Sequence, residues 1–167
     1  MSDLQKHRVD MWIIMSIPFF VVGFILSWFV MARNMPPPSF LAMTGEQLVS
    51  DYYGSQNMQI AIGNIATCVI AMLYLPFSCI VASMMRDENG QLTTLALVEL
   101  LGGFGTTWVI VFCPSIWAAC AIFAHDIDPS VIKFAYATAW LLFDPTYMVT
   151  TLQCIAVGLF ILNKQQK

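Results

Sequence analysis

Asp144, followed directly by Pro145, is the residue whose type and position most invite chemistry in this chain. It lies within a long apolar stretch, Val131 to Leu162, that reads as a membrane-crossing helix. A charged carboxylate at that depth costs ~2.5–3.5 kcal/mol on insertion scales. The proline behind it also interrupts the helical hydrogen-bond ladder. Counting at ~1.5 Å per residue places Ser27, Asn64, Thr67 and Ser115 at about the same depth in the other apolar stretches. We therefore expect Asp144 to face the interior of a bundle and to hydrogen-bond within this layer, to Asn64 or Thr67 first. Two readings stay open for such a group. One is a proton relay or polar ligand site; the other is interhelical glue worth ~0.6–2 kcal/mol.

Glu99 is the second carboxylate inside an apolar run. It falls ~15 Å from the middle of its stretch, so we expect an interface position where it reaches water or Arg86. His7 and His125 flank apolar runs and share no metal-ligand spacing. With neither at depth, no haem or metal ligand set is legible, and a bound lipid or lipophilic cofactor stays open. Cys68, Cys79, Cys113, Cys120 and Cys154 all sit in apolar runs without a CxxC pair, where cysteine behaves as a small hydrophobe. Leu101-Gly-Gly-Phe-Gly105 follows no strand and is no phosphate cradle. Close helix packing explains its glycines. Pro18, Pro76, Pro114 and Pro145 put one proline in each long stretch. Transporters coordinate ions at such breaks, but without unwound sequence around them plain kinks are the simpler expectation.

The elements that must hold these residues follow from composition. Of 167 residues, 59% are apolar and only 10% charged, with mean hydropathy +0.74. Soluble domains carry about 25% charged residues, so membrane residence is the leading explanation. The scattered cations leave no footprint for nucleic acid. Four spans are expected, at about 11–32, 58–84, 94–124 and 131–162, each long enough for a hydrocarbon core of ~30 Å. Between the first two, Pro36-Pro-Pro-Ser39 must be extended. Thr44 with Gln47 then forms a capping-box pattern ahead of a short helix at about 45–53. Its tyrosines, Tyr52 and Tyr53, suit headgroup depth in the interface. Gly63, Thr67 and Ala71 recur every four residues, a stripe that admits a close neighbour. Lys6, Arg8, Arg86, Lys164 and Lys167 fall at one end of the four spans, against Arg33 and Lys133 at the other. By the positive-inside rule both termini are cytoplasmic and the proline-rich loop faces outward.

The stretch from Met35 to Leu162 resembles an uncharacterised family of bacterial integral membrane proteins. The resemblance rests on Pro36-Pro-Pro-Ser39 with Glu46 and Tyr53, on Leu75-Pro-Phe-Ser78 and Met84-Met-Arg86, and on Trp140-Leu-Leu-Phe143 with Gln153. It implies a helical membrane fold and carries over no catalytic residue. Members of that family continue into further hydrophobic segments, so relative to them the chain is expected to lack C-terminal helices. Asp144 matches no position of the family's pattern.

The expectation is thus an all-α, four-helix transmembrane bundle in the inner (plasma) membrane, with a short interfacial helix in its first outward loop. The leading function is a non-catalytic accessory or structural subunit, in contact with lipids and with other membrane subunits or further copies of itself. The alternative is a carrier or channel for protons, ions or a small lipophilic molecule, centred on Asp144.

Overall fold

The computed structural model describes residues 3–165, all-helical apart from turns and one isolated bridge between Arg86 and Leu92. The side chains of Lys6, His7 and Arg8, and all of Lys167, lie outside the described residues. Helix α1 (Asp3–Phe24) runs on into a π-helical segment, Ile25–Met31. A short α2 (Gly45–Gln47) continues as a π turn over Leu48–Tyr53 and a 3-10 turn over Gly54–Gln56. Then come α3 (Asn57–Ala71), α4 (Tyr74–Met84), α5 (Thr94–Ile122), α6 (Pro129–Phe143) and α7 (Thr146–Gln165). They make four rods long and apolar enough to cross a membrane, at Ile14–Met31, Gly45–Met84, Thr94–Ile122 and Pro129–Gln165.

Proline acts differently in different rods. Pro18 and Pro114 sit inside unbroken helices. By contrast, the second rod breaks at Met72–Leu73 just before Pro76, and the fourth breaks at Asp144–Pro145. A proline removes the N–H that its i−4 carbonyl would accept and crowds that carbonyl, and in these two rods the ladder is re-formed only beyond it.

Helix α5 is the hub, packed against α3, α4, α6 and α7, while α1 lies across α3 and α4. Its buried positions, Ala96, Glu99, Gly103, Thr106, Ile110, Cys113 and Trp117, repeat at alternating spacings of three and four, the period of one helical face. The small-residue stripe of α3 is buried as the sequence predicts, with Gly63, Thr67 and Ala71 all inside. A Cβ on Gly63 would stand 2.7 Å from the carbonyl carbon of Met31, so only glycine lets the first two rods approach this closely.

Aromatic rings fill the half nearest the long loop. Trp28 lies 5.2 Å from Trp117 and 5.0 Å from Phe143, and Trp117 lies 4.7 Å from Trp140, measured between ring centres. Offset and edge-on pairs at such distances add ~0.5–1.5 kcal/mol each beyond their buried area. The loop is bound to the same end. Lys133 Nζ donates to the Met43 carbonyl at 2.6 Å, and a His125 ring nitrogen lies 3.0 Å from the Gly54 carbonyl. Asp128 caps α6, accepting the Ser130 hydroxyl at 2.5 Å and the Ser130 N–H at 2.8 Å. These bonds hold its carboxyl below the usual carboxylate value of 3.8.

The short loop helix begins where expected, with both halves of the Thr44–Gln47 capping box formed. Tyr53 and Leu48 are buried in the main core, with Tyr53 against Tyr52 and Tyr136. The helix packs down onto the start of α6, where Gly45 meets the Pro129–Ser130 backbone.

Candidate functional site

The polar layer read from the sequence divides into separate places. Ser27, Thr67 and Asn64 do come together at the first two rods. Thr67 Oγ1 donates to Ser27 Oγ at 3.0 Å, and the Gly63 carbonyl lies 2.9 Å from the same hydroxyl. Asn64 accepts at Oδ1 from Asn34 Nδ2 at 2.9 Å, while its own Nδ2 donates to the Ile60 carbonyl at 3.0 Å. The Tyr52 hydroxyl reaches Asn34 Oδ1 at 3.1 Å and the Ala32 carbonyl at 3.0 Å. Asn34 follows Arg33, whose φ of 55° turns the chain sharply and sends the asparagine inside. Every nitrogen and oxygen of both side-chain amides has a partner, and the bonds link the first two rods and the loop between them.

Ser115 does not join that cluster. It is exposed on α5, bonded to the Val111 carbonyl at 2.7 Å and 3.4 Å from Cys68 Sγ. Nor does Asp144. The expected inward carboxyl bonded to Asn64 or Thr67 is not found; Asp144 is exposed, and no described residue hydrogen-bonds its carboxyl. The physical reason is register. Phe143 and Thr146 take the buried face on either side of the break, which leaves Asp144 on the outward face with Leu141, Tyr147 and Met148.

Glu99 corrects the other expectation. It is 2% exposed and does not reach water or Arg86. The Arg86 guanidinium is instead held by the Ser83 and Gly90 carbonyls, at 3.1 and 2.6 Å. Glu99 belongs to a polar hub built on Gln153 of α7. Gln153 Nε2 donates to Glu99 Oε1 and to Ser78 Oγ, each at 3.2 Å. Gln153 Oε1 accepts from the Tyr74 hydroxyl and from Thr106 Oγ1, each again at 3.2 Å. Thr106 also lies 3.1 Å from Thr150 Oγ1. The glutamine amide therefore has all four of its bonding positions filled. The carboxyl does not: Glu99 Oε2 is buried and makes no hydrogen bond among the described residues.

Glycine makes this hub possible. A Cβ on Gly103 would overlap Ser78 Oγ and stand 2.5 Å from Ser78 Cβ, and one on Gly102 would run into the Gln153 side chain. The glycines of the Leu101–Gly105 run thus seat α4 and α7 against α5 at the level of the carboxyl. Gln153, Ser78, Tyr74 and Thr106 were not singled out as site residues from sequence. A signal was present, since Glu99, Gly103 and Thr106 are spaced as one helical face, and Ser78 and Gln153 belong to the motifs that carry the family resemblance.

Elsewhere, an open apolar groove of about 320 Å³ runs between α5 and α6, lined by residues including Phe112, Ile116, Phe123 and Val131. Its lining is almost wholly apolar.

No protein-family model, curated protein or solved structure matches this chain.

Proposed function

We propose that this chain is an integral membrane protein of four spans that works as a non-catalytic, accessory subunit packed within a larger membrane assembly. The observation that carries this reading is the outward position of Asp144. It lies three residues from the middle of the fourth rod, Pro129–Gln165, among exposed Leu141, Tyr147 and Met148. In lipid, a carboxylate there costs ~2.5–3.5 kcal/mol. A polar group from a second polypeptide, or from another copy of this chain, removes that cost. Further support comes from the surface of all four rods, where large apolar side chains such as Phe19, Val69, Leu101 and Phe134 stand exposed. Such a surface is stable against lipid tails or a neighbouring span and not against water.

In this reading the ends bearing Arg86 and Lys164 face the cytoplasm, and the loop bearing Arg33 faces out. A bacterial inner membrane is the host in this reading, supported by the sequence resemblance to bacterial integral membrane proteins. A second reading, a carrier of protons, ions or a small lipophilic molecule, draws its support from the buried carboxyl of Glu99 and not from Asp144.

Native mass spectrometry of protein extracted in mild detergent tests the assembly. The wild type is expected to travel with a stoichiometric membrane partner or second copy, and Asp144→Leu to release it. A monomer in both cases would overturn the reading.

A further inference from the structure

We propose that Glu99 is a proton-exchange site opening toward the Arg86–Lys164 end of the bundle. Its carboxylate takes one proton from a hydronium ion, leaving water, and returns it by the reverse step. No other reactant is required.

Three observations converge on this. The carboxyl is held rigidly, because Gln153 Nε2 donates to Oε1 while every other polar position of that amide is occupied by Ser78, Tyr74 and Thr106. Its second oxygen, Oε2, is buried and open, so the group is incomplete as a structural tie. Thirdly, a route to water stops just short of it. A vestibule of about 770 Å³, with Arg86, Asp87, Glu88, Asn163 and Lys164 among its lining residues, opens at this end of the rods. Leu95 and Phe160 form part of its lining and also pack on the small apolar cluster of Ala82, Met85 and Ala96. Leu95 is one helical turn, ~6 Å along the axis, from Glu99. Thus one thin apolar layer separates the carboxyl from an entrance lined by charged side chains.

The groups that face the carboxyl favour a proton over a metal cation. From α4 it meets Ser78 and, through Gln153, the Tyr74 phenol; from α7 it meets Gln153, with the Cys154 thiol beyond, near Tyr74. None of these is positively charged; the cations Arg86 and Lys164 line the vestibule beyond the apolar layer, with the Arg86 guanidinium held by the Ser83 and Gly90 carbonyls. Gln153 also points its N–H groups at both Glu99 and Ser78, and donors aimed into the site repel a metal ion. A proton bound to Oε2 meets neither difficulty.

The test is labelling of the full chain in lipid nanodiscs with dicyclohexylcarbodiimide, which reacts with the protonated form of an apolar-sited carboxyl, followed by peptide mass spectrometry. Label on Glu99 is expected, with a yield that falls about tenfold per pH unit on the alkaline side of its titration. Infrared difference spectra supply a second measure. A carboxylic-acid C=O stretch should titrate reversibly, shift in D2O, survive in Asp144→Asn and be lost in Glu99→Gln. An unlabelled Glu99, or a yield that does not change with pH, overturns the proposal even if Glu99→Gln fails to fold. So does a titrating band that Glu99→Gln retains.

Discussion

Replacing Gln153 by leucine would remove the amide that four partners share, at nearly unchanged side-chain volume. All four bonds are 3.2 Å long, to Glu99, Ser78, Tyr74 and Thr106. Interhelical hydrogen bonds in lipid average ~0.6 kcal/mol, so four of them come to ~2.4 kcal/mol. The partners do not suffer equally. Thr106 keeps Thr150 at 3.1 Å, whereas Glu99, with Oε2 already open, loses its Gln153 bond at Oε1. A buried acceptor left unpaired costs ~1–3 kcal/mol, which makes the orphaned carboxyl the largest single contribution. The expected total loss is ~2–4 kcal/mol. Reversible unfolding in mixed micelles, followed by tryptophan fluorescence, would measure it for Gln153→Leu, Glu99→Leu and the double variant. If the orphaned carboxyl dominates, the double variant is more stable than Gln153→Leu alone, with a coupling of ~1–2 kcal/mol. Effects that add within ~0.5 kcal/mol, or a Gln153→Leu protein that unfolds with the wild type, would refute the hub as the structural tie between α4, α5 and α7.

Two further outcomes follow from local geometry. Gly63→Val should push the first two rods apart, because even a Cβ would stand 2.7 Å from the Met31 carbonyl carbon; overpacking of this kind costs ~1–3 kcal/mol, and the same unfolding assay reads it. Asp128 titrates lower when folded than the ordinary 3.8, so its contribution is complete above about pH 4 and is lost as pH falls through the folded value. Asp128→Ala should therefore be less stable than the wild type near neutral pH. The difference should shrink as the solution is acidified below that point.

Much of the fold is legible because its signals are local. Apolar run length finds the four rods. The Thr44–Gln47 pair marks the start of the loop helix, and the i+4 recurrence of Gly63, Thr67 and Ala71 marks the contact face of α3. What fails is orientation. Depth alone points Asp144 to the interior, but depth along a rod says nothing about its angular position, and the break at Pro145 puts Phe143 and Thr146 inside instead. Nearness to a rod end points Glu99 to water or Arg86. Its angular register with Gly103 and Thr106 carries it to the centre of α5's buried face. The bond to Gln153 joins residues 54 apart in sequence, and no periodicity within either helix announces it. The packing of Tyr53 against Tyr136 is likewise a contact between distant segments that no local pattern announces.

Thiol accessibility in intact membranes tests the central claim, that lipid covers these rods, most directly. Cys79 and Cys154 are exposed on the bare surface of the protein, and Ser55 and Asn89 are exposed in the loop and the turn at opposite ends. With a membrane-impermeant maleimide applied from outside, Ser55→Cys should react at once and Asn89→Cys only after the membrane is opened, while Cys79 and Cys154 should react only after detergent strips the lipid. Labelling of Cys79 or Cys154 by the reagent in sealed membranes would contradict the account.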